Sequence, residues 1–555
     1  MILIVTLIVL SYFFLMSGNG MISLTHPDEV FYIQSAKEMI AHKSWITPYI
    51  FDAPQFEKPI LFYWLLMLVI KMFDLSSFWA RFCPSLFGIL GVAVTYAIAW
   101  MIFRSKRLAF LSGFILSTSF IYVAMSRAVL TDMVFSIWVV ITVGFFYLSY
   151  HYPGYKQVGI ILCFVFSALA VLTKGFLGFF FPAIIILVYL TYKRHLSFLI
   201  SPVTLIGSLI FLIIVVPWHV LMYKLYGQEF IKEYFYNVHL RRIFEAEHPK
   251  CNKWYFYPGV MIGGIFPWSF WACSGGFWLI QQIRKVKGNR DGLIFITIWI
   301  LTVLGIMQLA QSKLASYILP HFPALAIMLA YYFHNIGEAG PNSIKGFKVV
   351  GYVISIFLLI AVVGTVVAGK IYIDFIVDMK PIYVFAMLST LSATLIFILN
   401  QHRQYNRMIL SNALITSSVL IILFLGHAYV EPWVSCKQIC DVFKNIDHSQ
   451  TTILTSKFYV RGVRFYTDRK LAVIDINGKG FFSPHPIPFF NSDSQVLTFL
   501  ENQPFTFGIL KKGNLKDLNR IIPGRFHMIQ YTNIGDKYIV KLEKIDDNDV
   551  GVTHD

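Results

Sequence analysis

Charged side chains at the ends of apolar segments are the residues of this sequence best suited to chemistry. They include the carboxylates Asp28, Glu57 and Asp132 and the cations Lys58 and Lys174. Arg and Lys side chains can stabilise an anionic group as its charge develops. A carboxylate can deprotonate an acceptor, orient it or bind a divalent ion. Together these residue types suit the transfer of a group from an anionic leaving group.

Each of these residues also has a structural interpretation. Asp28 or Asp132 could cap a helix N-terminus, Lys174 could be a snorkelling residue at a membrane interface, and Arg241 and Arg242 could be solvated loop charges. The functional interpretation gains weight because the residues come from several loops on one predicted side of the molecule, as in a pocket at the mouth of a helix bundle. Nearby aromatic residues could face a sugar or an isoprenoid, or could form the interfacial belt of a membrane protein. They are Tyr32, Tyr63, Trp64, Trp254, Tyr255 and Tyr257.

The composition indicates that membrane spans must position these side chains. Of the 555 residues, 57% are hydrophobic and only 14% are charged, against about 25% in a typical soluble domain. This excludes a water-soluble enzyme and a disordered or fibrous chain. Apolar runs of about 20 residues, the length that crosses a bilayer, predict about thirteen spans. They lie near residues 1–17, 83–103, 108–125, 133–151, 157–173, 176–192, 199–221, 258–282, 291–309, 317–336, 347–369, 381–400 and 408–428.

The basic residues predict the orientation of these spans. The 46 Lys and Arg residues outnumber the 29 Asp and Glu residues, which gives a formal net charge of +17. If the N-terminus is cytoplasmic, every second loop is cytoplasmic and each of those loops carries Lys or Arg, as the positive-inside rule requires. The excess charge therefore needs no nucleic-acid partner. The candidate residues then lie in outer loops, and the chain after the last span lies outside.

The chain is predicted to have two domains and a tail. Residues 1–429 form the transmembrane domain, in which residues 18–82 are a large outer loop with interfacial helices. Within this loop the short apolar stretch Pro59–Phe73 is expected to form an interfacial or re-entrant helix and not a crossing. Residues 430–545 have normal charge density and predict a small soluble α/β domain, and residues 546–555 predict a disordered tail. The predicted strands are Lys470–Ile474, Phe505–Leu510, His527–Thr532 and Lys537–Leu542, with helices near 436–446 and 493–502.

Several motifs carry a resemblance to a known family. The first outer loop contains His26-Pro27-Asp28-Glu29, Phe56-Glu57-Lys58-Pro59 and Tyr63-Trp64. There follow, in order, Leu172-Thr173-Lys174-Gly175, His239-Leu240-Arg241-Arg242-Ile243-Phe244, and Ser312-Lys313-Leu314 with Tyr317-Ile318-Leu319-Pro320. The set resembles the bacterial aminoarabinose transferases of lipid A and, more widely, the protein O-mannosyltransferase-like membrane glycosyltransferases of the GT-C class. Two positions differ from the usual aminoarabinose transferase pattern, since Phe31 stands in place of Arg and Gln55 in place of an aromatic residue.

The resemblance implies a polytopic α-helical membrane protein of GT-C type with glycosyltransferase activity. The donor would be a monosaccharide on polyprenyl phosphate, specifically undecaprenyl phosphate. The acceptor would be lipid A or another component of the cell envelope, at the periplasmic face of the bacterial inner membrane, where the C-terminal domain would also lie. Membrane lipid would surround a monomer. No cofactor is otherwise implied, and a divalent metal ion held by Asp28 and Asp132 is left open.

Residue types and the resemblance together assign roles within the site. Asp28, Asp132 and Glu57 would be catalytic, with Asp28 and Asp132 as base, metal ligand or acceptor-positioning groups. The cations would bind the donor phosphate, and a further set would bind the rest of the substrates. The phosphate-binding residues would be Lys58, Arg242, Lys174 and Lys313, and the substrate-binding residues would be Glu29, Tyr32, Tyr255 and Tyr317.

Three alternative functions remain open. A protein O-glycosyltransferase or O-mannosyltransferase of the same fold would act on a Ser or Thr hydroxyl, which needs a general base, whereas a lipid A phosphate is already ionised. A transporter or flippase of lipids or amphiphiles would need charged or helix-breaking residues near mid-span and an internal repeat, but the charges cluster at one face. A non-enzymatic envelope assembly protein would leave the loop acids and bases unexplained.

Overall fold

The protein is a polytopic helical membrane protein with a small C-terminal α/β region. The computed structural model describes residues 2–247, 249–272, 274–276, 278, 289–336, 341–371, 379–483 and 485–545. Within these residues nine helices are long and apolar enough to cross a membrane, and a tenth candidate is a pair bent by 66°, Lys106–Ser117 and Phe120–Ser126. The nine are Ser77–Phe103, Thr131–His151, Pro153–Lys174, Pro202–Phe244, Arg290–Leu309, Ala315–His334, Ile344–Ile371, Lys380–Gln401 and Tyr405–Leu425.

All ten of these candidates coincide with predicted spans, and the predicted helical fold class is confirmed. Two further predicted spans are shorter apolar helices, Ile2–Leu15 and Leu177–Tyr192. The span predicted at 258–282 begins as the helix Phe256–Gly264 and continues into residues outside the described ranges. The described part of the chain therefore accounts for nine or ten full-length crossings, against the thirteen predicted.

Serine residues mark the starts of three membrane helices. The Oγ atoms of Ser76, Ser105 and Ser201 accept hydrogen bonds from main-chain N–H groups three residues later, at 3.2, 3.3 and 3.2 Å. A side-chain acceptor at this position satisfies one of the N–H groups that a helix leaves unpaired. Each of these helices therefore begins where a polar residue precedes an apolar run.

The two ends of the helix bundle carry separate clusters of charged residues. The helix Thr131–His151 has Asp132 in its first turn and His151 in its last. Asp132 pairs with Lys174 at one end, whereas at the other end Asp291 accepts from Lys193 at 2.9 Å and lies 3.4 Å from His151. The charges predicted to be outer and those predicted to be cytoplasmic thus lie at opposite ends.

The predicted outer loop is a folded unit on the first of these ends. It contains the helix Asp28–Ala41, an antiparallel hairpin of strands β1 (Tyr49–Ile50) and β2 (Ala53–Pro54), and the apolar helix Leu61–Phe73. The last of these has 13 residues, fewer than the roughly 20 that cross a bilayer. A short helix was predicted at this place.

A buried ion pair fixes this loop to the bundle. The guanidinium of Arg81, on the helix Ser77–Phe103, donates to both carboxylate oxygens of Glu29 at 2.8 and 2.6 Å. The same carboxylate accepts main-chain N–H groups from Thr25 at 2.9 Å and Val129 at 3.0 Å. Glu29 therefore joins the start of the outer-loop helix, one span and the segment that leads to Asp132.

The C-terminal region is a six-stranded mixed sheet with helices on both faces. The strand order is β5-β4-β3-β6-β8-β7, with β3, β4, β5 and β6 parallel and β8 antiparallel to β6 and β7. The strands are β3 (Ile453–Ser456), β4 (Leu471–Ile474), β5 (Phe489–Phe490), β6 (Phe505–Lys511), β7 (Phe526–Ile534) and β8 (Lys537–Lys544). The helices are Lys437–Ile446, Val460–Thr467, Asp493–Glu501 and Lys512–Ile521.

Four strands and two helices of this region were predicted, and the structure adds several elements. Strand β3 and the helices Val460–Thr467 and Lys512–Ile521 were missed. Strand β3 has only four residues, all buried, so it lacks the alternation that reveals a half-buried strand. The predicted tail at 546–555 lies outside the described residues.

Several of the long spans consist of consecutive helical segments. These segments are Pro153–Tyr155 and Lys156–Lys174, Pro202–Phe230 and Arg241–Phe244, Ala315–His321 and Phe322–His334, and Tyr405–Ser411 and Ala413–Leu425, while the helix Pro341–Ile371 includes one span whole. Short helices outside these spans are Leu196–Leu199, Pro249–Cys251 and His427–Val434.

The buried pair of Glu29 and Arg81 gives a test of how the outer loop is anchored. Breaking a buried pair by removing one partner costs about 3–5 kcal/mol, because the other charge is left uncompensated. We therefore expect Glu29→Gln to lower the free energy of unfolding strongly, measured as a fall in Tm of the purified protein in detergent. Arg520→Met removes one partner of an exposed pair, Arg520–Asp493, and should cost less than about 1 kcal/mol. Equal, small effects of both variants would contradict the anchoring role.

Candidate active site

Asp28 belongs to a cluster of charged side chains at the outer-loop end of the bundle. We call this cluster the recess, and it comprises Asp28, Glu57, Lys58, Asp132, Lys174, Arg242 and Arg461. Asp28 is the first residue of the helix Asp28–Ala41, whose N-cap is Pro27, so it does not have the capping role considered above. Its side chain is 67% accessible, although protein surrounds it on most sides. This enclosure, with the neighbouring carboxylates of Glu57 and Asp132, raises the pKa of Asp28, while Arg461 opposes the rise. An accessible carboxylate in such a recess can reach a bound substrate.

Asp132 forms the tightest ion pair of the recess. It is the second residue of the helix Thr131–His151, and its Oδ1 accepts from the Nζ of Lys174 at 2.5 Å. Both side chains are buried. The Lys174 ammonium also lies over the rings of Tyr317, at 4.5 Å, and Phe135, at 5.4 Å. Three helix ends therefore meet at this pair.

Glu57 and Lys58 lie in the segment before the helix Leu61–Phe73. The Glu57 N–H donates to the Oε1 of Gln55 at 3.0 Å, and the Nε2 of Gln55 donates to the hydroxyl of Tyr63 at 2.6 Å, which fixes the backbone of this segment. Burial favours protonation of Glu57, but Arg461 and other nearby cations outweigh it and hold the pKa of Glu57 below its usual range. Glu57 is therefore an anion inside the recess.

Lys58 is a buried cation with one hydrogen bond in the described part of the chain. Its Nζ donates to the main-chain oxygen of Glu57 at 3.2 Å. Burial, and then the charge of Arg242, lower the pKa of Lys58 to about 8. The ammonium group has further N–H donors, which can donate hydrogen bonds to an anionic ligand.

Arg242 reaches the recess from a distorted helix. The chain forms a π-helix over Ile231–Leu240 before the short helix Arg241–Phe244, and such distortions often occur at functional sites. The Arg242 guanidinium donates to Glu247 at 2.9 Å, while its Nε is buried without a hydrogen-bond partner among the described residues. An anion at this place would satisfy that donor.

Arg461 is the residue of this site that the sequence did not reveal. It lies on the helix Val460–Thr467 of the C-terminal region, more than 400 residues after Asp28 and Glu57 in the chain. Its guanidinium nitrogens are 3.5 Å from Glu57 and 3.8 Å from Asp28, and its Cζ lies 4.4 Å from the ring of Phe31. One Arg in a region of ordinary charge density carries no signal, because only the tertiary fold brings it to the recess.

Tyr32 and Tyr317 also lie at the recess, among aromatic rings. The Tyr32 ring is buried, with the rings of Phe62 and Tyr63 at centroid distances of 5.4 and 6.1 Å. Tyr317 lies under the ammonium of Lys174. These two predicted substrate-binding residues are therefore placed with the charged cluster.

The contacts of three predicted site residues lie elsewhere. Glu29 is buried and its oxygens accept from Arg81, Thr25 and Val129. The Lys313 Nζ donates to Asn252 at 3.1 Å and to the main-chain oxygens of two nearby residues. Tyr255 is 56% exposed. We infer structural roles for Glu29 and Lys313 from these contacts.

Among the described residues, no group of three or more His, Cys, Asp and Glu side chains converges on one point. The carboxylate of Asp132 is paired with Lys174. A divalent ion held by Asp28 and Asp132 stays a prediction, since such an ion can bind one or two carboxylates together with a substrate phosphate.

This polytopic helical fold is similar to that of a solved membrane protein over most of its length. Residues 1–227 match the family model of dolichyl-phosphate-mannose-protein mannosyltransferases. The fold is similar to the crystal structure of ArnT from Cupriavidus metallidurans bound to undecaprenyl phosphate, with a TM-score of 0.74 and 18% identity over 97% of both chains. The same protein in the apo state gives the same TM-score.

Sequence relatives agree with this placement. The undecaprenyl phosphate-alpha-4-amino-4-deoxy-L-arabinose arabinosyl transferase of Erwinia tasmaniensis is 27% identical over 349 residues, which cover 61% of this chain and 61% of that protein. Transferase 1 of the same name from Proteus mirabilis is 26% identical over 326 residues, 58% of each chain. The match thus spans about six tenths of the length of these relatives. The resemblance stated from the motifs is confirmed.

The lowered pKa of Lys58 predicts a pH dependence of any reaction with an anionic substrate at this site. Below pH 8 the ammonium is charged, and above it the group is neutral and attracts an anion less. We expect kcat/KM for the anionic substrate to fall as the pH rises through about 8. In Lys58→Arg the cation stays charged throughout this range, so the fall should disappear or move to higher pH. A fall at the same pH in both proteins would assign it to another group.

Proposed function

We propose that this protein is an integral-membrane glycosyltransferase. It moves a monosaccharide from undecaprenyl phosphate, or another polyprenyl phosphate, to lipid A or another envelope acceptor at the periplasmic face of the bacterial inner membrane. The observation that carries this proposal is the charged recess of Asp28, Glu57, Lys58, Asp132 and Arg242 at one end of the bundle. The similarity to ArnT bound to undecaprenyl phosphate supports it.

The cations of the recess suit the phosphate of a lipid-linked donor. Among the described residues, the Lys58 ammonium donates one hydrogen bond and the Nε of Arg242 donates none. Both groups can therefore donate to a bound phosphate. As the bond from the sugar to the phosphate breaks, charge develops on the phosphate oxygens, and preorganised cations stabilise it. The apolar tail of the donor can stay in the bilayer while its phosphate enters the recess from the side. We therefore propose Lys58 and Arg242 as the main phosphate ligands.

The carboxylates of the recess suit the acceptor side of the reaction. Asp28 is the accessible carboxylate, and we propose that it contacts the acceptor, as a base for a hydroxyl or as an orienting group. Glu57 and Asp132 are each paired with a cation. We propose that they set the shape and charge of the recess, and that Lys174 contributes to phosphate binding while it keeps Asp132 in place.

The distribution of charge supports the proposed orientation. The recess lies at the end of the bundle that the positive-inside rule assigns to the outer side. A lipid-linked donor can reach a site on that side from within the bilayer. The C-terminal α/β region contacts the same end through Arg461, so we propose that it is periplasmic too.

A protein O-mannosyltransferase-like activity is the second candidate. The match of residues 1–227 to the mannosyltransferase family model favours it. A Ser or Thr acceptor would need a base, and the accessible Asp28 could fill that role.

Purified protein in proteoliposomes distinguishes the two acceptors. The protein is incubated with undecaprenyl-phosphate-linked sugars and with either lipid A or a Ser/Thr-rich peptide, and the products are identified by mass spectrometry. Sugar on lipid A supports the first proposal, and sugar on the peptide supports the second. No transfer from any lipid-linked donor to either acceptor would contradict the transferase assignment. Lipid A from cells with and without the gene gives an independent comparison.

Two substitutions test the site within this assay. Asp28→Asn and Lys58→Ala should each reduce kcat about 10²–10³-fold, the effect expected for loss of one preorganised electrostatic group. Asp291→Asn makes the same change of charge at the opposite end of the bundle and should leave transfer close to the wild-type rate. Thermal unfolding in detergent checks that all variants are folded. Wild-type transfer by both site variants would contradict the assignment of this recess as the active site.

A further inference from the structure

One helix of the C-terminal region faces the outer loop with two arginines. In the helix Val460–Thr467, Val460 and Val463 are buried in the core between this helix and the sheet. Arg461 and Arg464 are three residues apart and therefore lie on one face of the helix. Both contact carboxylates of the outer loop. The sheet thus supports a rigid element that brings two cations to the transmembrane part.

Arg461 is held at the recess by three kinds of contact. Its guanidinium lies 3.5 Å from the carboxylate of Glu57 and 3.8 Å from that of Asp28. Its Nη2 is 3.1 Å from the Nε2 of His485, which belongs to the same region. Its Cζ lies over the ring of Phe31, 4.4 Å from the ring centroid. The side chain is only 16% exposed, so these contacts define its position.

Phe31 connects the position of the guanidinium to that of Asp28. The two residues are three apart on the helix Asp28–Ala41 and therefore share a face. A planar guanidinium stacks well on an aromatic ring. The stacked Arg461 can thus contact the carboxylate one turn earlier on the same helix. An attraction of two carboxylates to one cation also counters the repulsion between them.

We propose that Arg461 is a positioning residue of the active site, which holds Asp28 and Glu57 in their working arrangement, and that the C-terminal region thereby completes the site. The proposal rests on the proposed transferase function of the same recess. It gives the C-terminal region a role in turnover. A second contact points the same way, because the ring of Phe482 lies 4.4 Å from the guanidinium of Arg241 and 5.4 Å from that of Arg242.

Arg464 provides the matched control. It lies one turn from Arg461 and contacts Asp52 and, at 3.7 Å, Glu38. Glu38 in turn accepts the main-chain N–H of Asp52 at 2.9 Å. These groups lie at the β1–β2 hairpin, away from the cluster around Asp28. Arg464 therefore joins the same two parts of the protein without touching the site.

The test compares full-length variants in proteoliposomes. Arg461→Met should lower kcat by about 10²-fold, as expected when catalytic groups are misplaced, with a change in KM for the donor below about threefold, because Lys58 and Arg242 are intact. Arg461→Lys keeps the charge and should retain intermediate activity. Arg464→Met should lower Tm while kcat stays within about threefold of wild type. Wild-type kcat in Arg461→Met, or an equal loss in Arg464→Met, would overturn the proposal.

An exchange of the stacked pair separates positioning from general stability. In the double variant Phe31→Arg and Arg461→Phe, position 31 carries the arginine instead of position 461. Its guanidinium is expected to occupy the same place between the two partners. We expect kcat to recover by at least about tenfold relative to Arg461→Phe alone, since the cation again lies beside both carboxylates. A folded double variant without recovery would count against the positioning role.

A measurement that does not need turnover separates this proposal from the transferase assignment. The Tm values of Arg461→Met, Glu57→Gln and the double variant form a cycle, in which contacting residues give non-additive shifts. Additive shifts would overturn the role of Arg461 whether or not transfer is seen. Non-additive shifts in a protein that transfers no sugar would contradict the transferase function alone.

Discussion

The site depends on the buried ion pair between Glu29 and Arg81. Its carboxylate accepts from Arg81 and from the main chain at Thr25 and Val129. Asp28 is the neighbour of Glu29, and Asp132 follows Val129 by three residues. This ion pair therefore joins the segments that carry the two carboxylates, and it takes no part in the proposed chemistry. Removing one partner of a buried ion pair leaves the other charge uncompensated, so the arrangement of the recess depends on this pair.

The anions and cations of the recess differ in how closely each is paired with a group of opposite charge or with the main chain. Asp132 and Lys174 share a short, buried contact, whereas Lys58 keeps one main-chain partner. Arg461 lies at 3.5 Å or more from both of its carboxylates. The close pair gives rigidity, and Lys58 can exchange its main-chain partner for a substrate anion. In an apolar chain, such groups are rare enough that their clustering indicates function.

The membrane spans and most strands of the C-terminal sheet could be predicted because hydrophobic runs and alternation are local properties of the sequence. The motifs also indicated Asp28, Glu57, Lys58 and Asp132. The role of Glu29 could not be separated from that of Asp28 by sequence. Adjacent residues of a helix point about 100° apart, and only the placement of the helix in the fold shows which of the two side chains faces the site. Arg461 was missed for a stronger reason, since its contact with Phe31 joins positions far apart in the chain. Arg461 of the C-terminal region thus lies beside Phe31, the position at which the family pattern has Arg.

The central claim is that this recess receives a lipid-linked phosphate through Lys58 and Arg242. The most direct measurement is a structure of the protein by electron cryomicroscopy in nanodiscs with added undecaprenyl phosphate. We expect density for the phosphate within hydrogen-bond distance of the Lys58 Nζ and the Arg242 guanidinium, with the prenyl tail leaving between helices toward the bilayer. Phosphate density bound at the opposite end, near Lys193 and Asp291, with the recess empty, would contradict it.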